Sequence, residues 1–381
     1  MKIGIPKEIS ENERRVAIIP KMVTRLINDG HEILIEVAAG EGSYFPDTEY
    51  EQAGAAIVKD SQLLYSGSDV IFKVQPPQIQ EVEMMNTGSI YLGFLAPMAN
   101  LKVVEMMHEK KITCFAMEFI PRIARSQSMD TLSSMASIAG YRAVLIAAQT
   151  LGKYFPLMMT AAGTIPPARV LVIGAGVAGL QAIATARRLG AKVEAFDTRP
   201  AVKEQVESLG AQFIEMELVE DSETVTGYAK EMTDEFLKKE REIIGNRAAQ
   251  NHVVITTAQV FGKKAPILIT EEMVAKMQKG SVIIDIAAEQ GGNCELTEAG
   301  KDINKYGITI CGAVNLPSTL PIDASRMYCR NITYFFRHLY KTKDNILDFD
   351  DEITKSSCVM HNGKILNEMI KQAIQKGGAN T

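Results

Sequence analysis

Apolar residues along the chain fall into two recurring patterns. Short runs of strand length occur at KIGIP (2–6), HEILIEV (31–37), VIFKV (70–74), SIYLGFL (89–95) and ITCFAME (112–118). Between them lie amphipathic stretches that predict helices over 21–29, 47–54 and 101–110. Strands alternating with helices at this spacing predict βαβ units and a parallel sheet. Near residue 121 the pattern gives way to the polar stretch PRIARSQSMDTLSSM, which predicts a loop over 121–131, followed by a long connecting helix over the Ala-rich residues 136–151.

After Pro166-Pro167 the alternation resumes. The runs ARVLVIG, AKVEAFD, AQFIEM, HVVITTA, SVIIDIA and GITICGA predict strands, with helices over 177–189, 201–209 and 271–278. Six strands in this order match a doubly wound dinucleotide-binding sheet. An interruption over 217–250 has two segments. Residues 217–228 lack an apolar period and predict either disorder or a functional lid. The charged EFLKKEREIIGNRAAQ predicts a solvated helix. Near the C-terminus, ASRMYCRNITYFFRHLY places aromatic and apolar residues at helical spacing and predicts a core helix. The expected fold is α/β: two Rossmann-like, doubly wound parallel-sheet domains joined by a long helix. Residues 1–132 with 321–381 form the first domain, the C-terminal helices packing back on it, and 133–320 form the second.

Composition narrows the function more than the fold. With 46% hydrophobic and 23% charged residues over 381 positions, the chain is ordinary globular protein, and roughly 150 residues per domain gives two to three domains. Lys and Arg number 41 against 46 Asp and Glu, a net charge of −5, and no basic run predicts nucleic-acid binding. The most apolar stretch, 170–186, is broken by Gly174, Gly176, Gly179 and Gln181 and predicts no membrane span. MKIGIPKEISENERR lacks the apolar core of a signal peptide, so a cytoplasmic location is expected. Five widely spaced cysteines without a CxxC read as idle thiols, and the five histidines show no metal-site spacing.

The sharpest chemical signal is GAGVAG at 174–179. A G-x-G-x-x-G alone is weak, but this one follows the strand VLVI, opens a helix, and precedes Asp197 by 18 residues counted from Gly179. Gly174 permits the tight turn, Gly176 lets backbone approach a pyrophosphate, and Gly179 lets helix and strand pack closely. The diphosphate then rests on the helix N-terminus at Ala175, Val177 and Ala178, where amides and the helix dipole favour an anion. Asp197 accepts from the adenosine ribose and disfavours a 2′-phosphate, which predicts NAD(H) rather than NADP(H). Arg199, beyond Thr198, pulls the other way, because an arginine can hold that phosphate. Ligands of such sheets lie outside the strand C-termini, so Thr256, Thr257 and Ala258, with Ala287, Ala288 and Glu289, are expected to line the crevice.

Most nicotinamide dehydrogenases need a base to take the substrate's proton. No histidine falls near the glycine turn, in the 121–131 loop or in 285–295, and His252 begins a strand at its far end. Transfer between two nicotinamides needs only juxtaposed rings and excluded water, and the missing histidine fits that reaction. Lys73 and Glu289 remain alternative bases.

Several long motifs together resemble the NAD(H)-binding component, domain I, of proton-translocating nicotinamide nucleotide transhydrogenases. They are MKIGIPKE with RRVAIIP, PRIARSQSMDTLSSMASIAGYRA, MMTAAGTIPPARVLVIGAGVAGLQAIATARRLGA, AFDTRPAVKEQVESLGAQF, GYAKEM and SVIIDIAAEQGGNCELTE. The resemblance spans nearly the whole chain. It implies the soluble portion of a split alpha subunit, a homodimer, peripheral to the inner membrane through its partners. The membrane-spanning remainder of the alpha subunit and an NADP(H)-binding beta subunit would be separate polypeptides. It further implies that Arg122, Gln127 and Asp130, with Ser133 following, contact the nicotinamide end of NAD(H) and the partner nucleotide. Tyr228 in GYAKEM resembles the tip of a mobile loop that closes over NAD(H). Residues 259–262 depart from the family, whose members read closer to Leu-Ile-Pro-Gly.

Alanine dehydrogenases share the architecture and are the alternative. Arg15 and Lys73 match their substrate-binding pair, but Ala96 stands where their catalytic histidine falls and Glu289 where their catalytic aspartate falls. A non-catalytic NAD-sensing module is a third reading, and it leaves the RSQSMD loop unexplained.

Overall fold

The computed structural model describes residues 1–216, 234–260, 262–341 and 347–377. In chain order the strands are β1 (Lys2–Ile5), β2 (Glu32–Glu36), β3 (Ala56–Val58), β4 (Val70–Phe72), β5 (Ile90–Gly93), β6 (Thr113–Ala116), β7 (Met158–Thr160), β8 (Gly163–Ile165), β9 (Arg169–Ile173), β10 (Lys192–Phe196), β11 (Gln212–Ile214), β12 (Val253–Thr256), β13 (Val282–Asp285), β14 (Asp302–Lys305), β15 (Ile308–Cys311), β16 (Cys358–His361) and β17 (Lys364–Ile365). The chain divides into two compact units, Met1–Met135 with Ser318–Thr381, and Ala136–Pro317.

The first unit holds an eight-stranded sheet in the order β17-β16-β6-β5-β4-β1-β2-β3. The pairings from β3 through β6 are parallel, while β16 and β17 add antiparallel at one edge. The apolar pattern predicts helices at the C-terminus but no strands there. The pair is only four and two residues long and β16 is bulged, too little for a period to be read. The long helix Pro321–Leu339 buries Tyr328, Ile332, Phe335 and Phe336, as its spacing predicts.

The second unit holds a seven-stranded sheet in the order β11-β10-β9-β12-β13-β15-β14, parallel except for the edge strand β14. Both faces are covered. Val170, Val172, Ile255 and Ile284 pack on one side, and Leu171, Ile173, Val254 and Ile283 on the other, which is why these strands read as unbroken apolar runs. The α/β doubly wound architecture expected from the alternation is present in both units.

Two boundaries differ from expectation. The connecting helix begins at Thr131 rather than 136, because Asp130 caps it: its Oδ1 accepts the Ser133 amide at 2.9 Å and its carbonyl the Ser134 amide at 3.2 Å. The polar loop before it is a 3₁₀ turn over Ala124–Met129. The charged helix, Asp234–Ala248, is not fully solvated, since Glu240, Ile244 and Ala248 are buried. Helix Thr131–Thr150 has the length and apolar content of a membrane span. Its Ala143, Val144 and Ala147 instead pack into the core of the second unit.

Candidate functional site

The glycine turn lies at the switch point of the seven-stranded sheet, where β9 has β10 on one side and β12 on the other. Gly174 adopts φ +93°, and a Cβ there would stand 2.5 Å from Thr257 Oγ1. Gly179 sits so close under the turn that its Cβ would fall 1.8 Å from the Gly174 carbonyl. By contrast, a Cβ on Gly176 would meet nothing within 4 Å. The first and third glycines are thus demanded by packing, and the middle one faces open space, as backbone approached by a diphosphate requires. Gly176 caps helix Val177–Arg188, whose first turn carries Val177 and Ala178. Helix Thr131–Thr150 crosses this end closely: a Cβ on Gly140 would stand 2.0 Å from the Ala178 carbonyl.

Asp197 ends β10 beside the turn. Its Oδ2 accepts the Ala175 amide at 2.7 Å, and its Oδ1 accepts the Arg199 amide at 2.9 Å and Arg199 Nε at 3.0 Å. Arg199 therefore lies on Asp197, and its guanidinium is not held out for a phosphate. Thr198 lies between them. Across the crevice, Thr257 Oγ1 donates to the Gly174 carbonyl at 3.0 Å. Ala258 is fixed by Asn293, whose Oδ1 accepts its amide at 3.0 Å and whose Nδ2 donates to its carbonyl at 2.8 Å.

Asn293 and Asp285 are site residues that the sequence reading missed. Asp285, fully buried at the end of β13, accepts from the amides of Ala287, Asn293 and Cys294 and the hydroxyls of Thr256 and Thr297 at 2.6–3.0 Å. One carboxylate thus ties down the whole rim from 285 to 297. The available signal was an acidic residue ending the apolar run SVII. His252 lies at the opposite end of β12, where its Nδ1 accepts the Arg169 amide at 2.9 Å. Glu289 Oε1 accepts the Asn315 amide at 3.2 Å. Tyr228 and Phe261 lie outside the described residues.

In the first unit, the loop bearing Arg122, Gln127 and Asp130 is held from beneath. Ser126 and Met129 are buried, and the Ser126 hydroxyl donates to the carbonyls of Pro121 and Ile123. Asn331 Nδ2 donates to the Ser128 carbonyl at 2.8 Å. Arg125 Nη1 lies 3.1 Å from Asp351 Oδ2, and His338 Nε2 lies 2.8 Å from Asp351 Oδ1. Burial works against ionising Asp351, but His338, backbone amides and Arg125 hold it well below the usual carboxylate range. Arg122 and Gln127 are exposed, and Asp130 Oδ2 accepts the Ser133 hydroxyl at 2.5 Å.

Arg15 and Lys73 are both buried against carboxylates. Arg15 Nη2 meets Glu13 Oε2 at 2.6 Å. Lys73, 1% exposed, meets Glu81 at 2.7 Å and Glu8 at 3.2 Å. Burial alone would lower Lys73, yet the two carboxylates outweigh it and hold the amine above its ordinary value. Such a lysine is a poor base near neutral pH. Ala96 is in the left-handed region at φ 42°, its amide donating to Glu118 Oε1 at 2.6 Å. The five cysteines are free and buried, and burial pushes Cys294 up to about 11 and Cys358 up to about 12. No group of metal-ligating side chains occurs among the described residues.

The model of the alanine dehydrogenase/PNT N-terminal domain matches residues 4–139, and that of the corresponding C-terminal domain matches 143–368. The first of the polypeptides that make up the NAD(P) transhydrogenase alpha subunit of Rhodospirillum rubrum is 48% identical over 376 residues, covering 96% of this chain and 98% of that protein. The crystal structure of a transhydrogenase from Sinorhizobium meliloti aligns with a TM-score of 0.85 at 40% identity, covering 97% of this chain and 100% of that one. An L-alanine dehydrogenase structure aligns with a TM-score of 0.84 at 26% identity, covering 99% of each.

Proposed function

The chain belongs to the alanine dehydrogenase/PNT family, and from that premise we propose that it is the NAD(H)-binding component, the first polypeptide of a split alpha subunit, of a proton-translocating transhydrogenase. NADP(H) is bound by a separate beta subunit, and the membrane-spanning second polypeptide of the alpha subunit carries the proton path. The chain acts as a cytoplasmic homodimer, peripheral to the inner membrane through those partners. When bound, NAD(H) supplies the hydride that reduces the partner's NADP⁺.

The observation that carries the reading is the fit of the turn to a dinucleotide. Gly174 and Gly179 admit no side chain, while Gly176 opens onto free space beside a helix N-terminus. In this reading the backbone of Gly174, Ala175, Gly176, Val177, Ala178 and Gly179 cradles the diphosphate. Asp197, Thr198 and Arg199 take the adenosine end, Thr257 and Ala258 line the cleft, and Tyr228 closes over it. Arg122 and Asp130, with Ser133, orient the carboxamide and ribose, and Gln127 bridges to the facing nucleotide with its donor and acceptor.

The alanine dehydrogenase reading is disfavoured by the first unit. Ala96 offers no base, and a substrate carboxylate would have to displace Glu13 from Arg15 or two carboxylates from Lys73. The deciding experiment mixes the purified chain with a transhydrogenase NADP-binding domain and follows reduction of an NAD analogue by NADPH. Turnover that requires both proteins supports the proposal. No turnover with the partner, together with pyruvate- and ammonia-dependent oxidation of NADH by the chain alone, sinks it.

A further inference from the structure

Helix Asp234–Ala248 packs on the face of the seven-stranded sheet that carries Ile173, Phe196 and Ile214, through Ile244 and Ala248. Its C-terminal end is tied to β10: Arg247 Nη1 lies 3.2 Å from Glu194 Oε2, and Asn251 Nδ2 donates to Glu194 Oε1 at 2.6 Å. The helix leads into β12, which runs parallel to β9 and β10, so the helix itself runs against those strands. Two turns before Arg247, roughly 10 Å back along the axis, stands Glu240, on the same stripe as Ile244 and Arg247. Three residues beyond Glu194, also roughly 10 Å along the strand, stands Asp197. The two displacements have the same direction and size, so Glu240 is carried to the level of Asp197 at the mouth of the crevice.

The electrostatics agree with that placement. Glu240 is 6% exposed, and burial pushes its carboxyl up to about 7, with Asp197 adding to the rise and Arg241 opposing it. Glu240 thus feels Asp197 directly.

We propose that Glu240 is a specificity-determining residue of the dinucleotide site, a second carboxylate at the adenosine-ribose end that turns away a 2′-phosphate. The inference rests on the NAD(H) reading above and adds a residue to it. It resolves the conflict between Asp197 and Arg199. Arg199 lies on Asp197 with both Nε and Nη2 at 3.0 Å, so the charge of Asp197 is largely cancelled within the pair. Alone, that pair would discriminate weakly against a phosphate. Glu240 restores a net negative charge where a 2′-phosphate would sit, while the uncharged 2′-hydroxyl of NAD(H) meets no such repulsion.

The test is the ratio of NADH to NADPH affinity, measured by calorimetric titration of the intact chain at a pH above the Glu240 value of about 7. Glu240→Gln keeps the shape and removes the charge, and the preference for NADH is expected to fall about tenfold. Glu240→Asp, which keeps the charge, retains most of the preference and guards against a folding artefact. A ratio within about twofold of the wild type in Glu240→Gln overturns the inference while leaving the NAD(H) reading intact. A wild-type chain that binds neither nucleotide overturns both.

Discussion

Asn331 Nδ2 donates to the carbonyl of Ser128 at 2.8 Å, so a side chain 203 residues further along the chain fastens the turn that presents Gln127. The Oδ1 of the same Asn331 is buried with no hydrogen-bond partner among the described residues. An amide kept at that cost is accounted for by what its donor holds.

Replacing Asn331 with Ala leaves the Ser128 carbonyl without this donor and should cost about 1–3 kcal/mol of stability in urea unfolding. If the turn is the nicotinamide clamp, hydride transfer with the partner domain falls by more than NADH affinity does. A transfer rate equal to that of the wild type would detach the turn from the chemistry.

Gln127→Asn shortens the bridging side chain by one methylene. Because a misplacement of roughly 1 Å can cost about a hundredfold in rate, single-turnover transfer should slow by about ten- to a hundredfold, far more than NADH binding weakens. Equal losses in rate and binding would refute a bridging role.

The three glycines of the turn should separate by readout. Gly179→Ala forces a Cβ to 1.8 Å from the Gly174 carbonyl and should destabilise the protein by about 1–3 kcal/mol, lowering its Tm. Gly176→Ala meets no atom within 4 Å, so its Tm should hold while NADH affinity drops. The opposite assignment of the two effects would show that the diphosphate does not lie over Gly176.

Glu13 gives a pH-dependent contribution to stability. Burial would raise its carboxyl, but the hydrogen bonds and charge of Arg15, with Gln75, outweigh it and hold the group down at about 2 against an ordinary 4.5. A depressed acid stabilises fully above its unfolded value and loses that contribution as pH falls. About 3 kcal/mol should therefore disappear between roughly pH 4.5 and 2, read by denaturant unfolding across that window. Glu13→Gln should flatten this acid limb and, by leaving Arg15 without its carboxylate, cost about 3–5 kcal/mol at neutral pH. An acid limb as steep in Glu13→Gln as in the wild type would show that other carboxylates dominate it.

What the sequence determined by itself was local. The runs VLVI and SVIID declared strands buried on two faces, because period and apolar content are properties of neighbouring residues. The spacing of Gly174, Gly176 and Gly179 announced the turn for the same reason: the sterics that require them act within a few residues. What only the tertiary structure decided were pairings between distant residues. Asp285 reads as one more acidic residue until five donors converge on it. Arg199 could hold a phosphate, stack or lie in solvent until it is seen folded onto Asp197. Asn331 and Asp351 have no local signature, because their partners Ser128 and Arg125 lie more than 200 residues away, and no periodicity encodes a hydrogen bond across that distance.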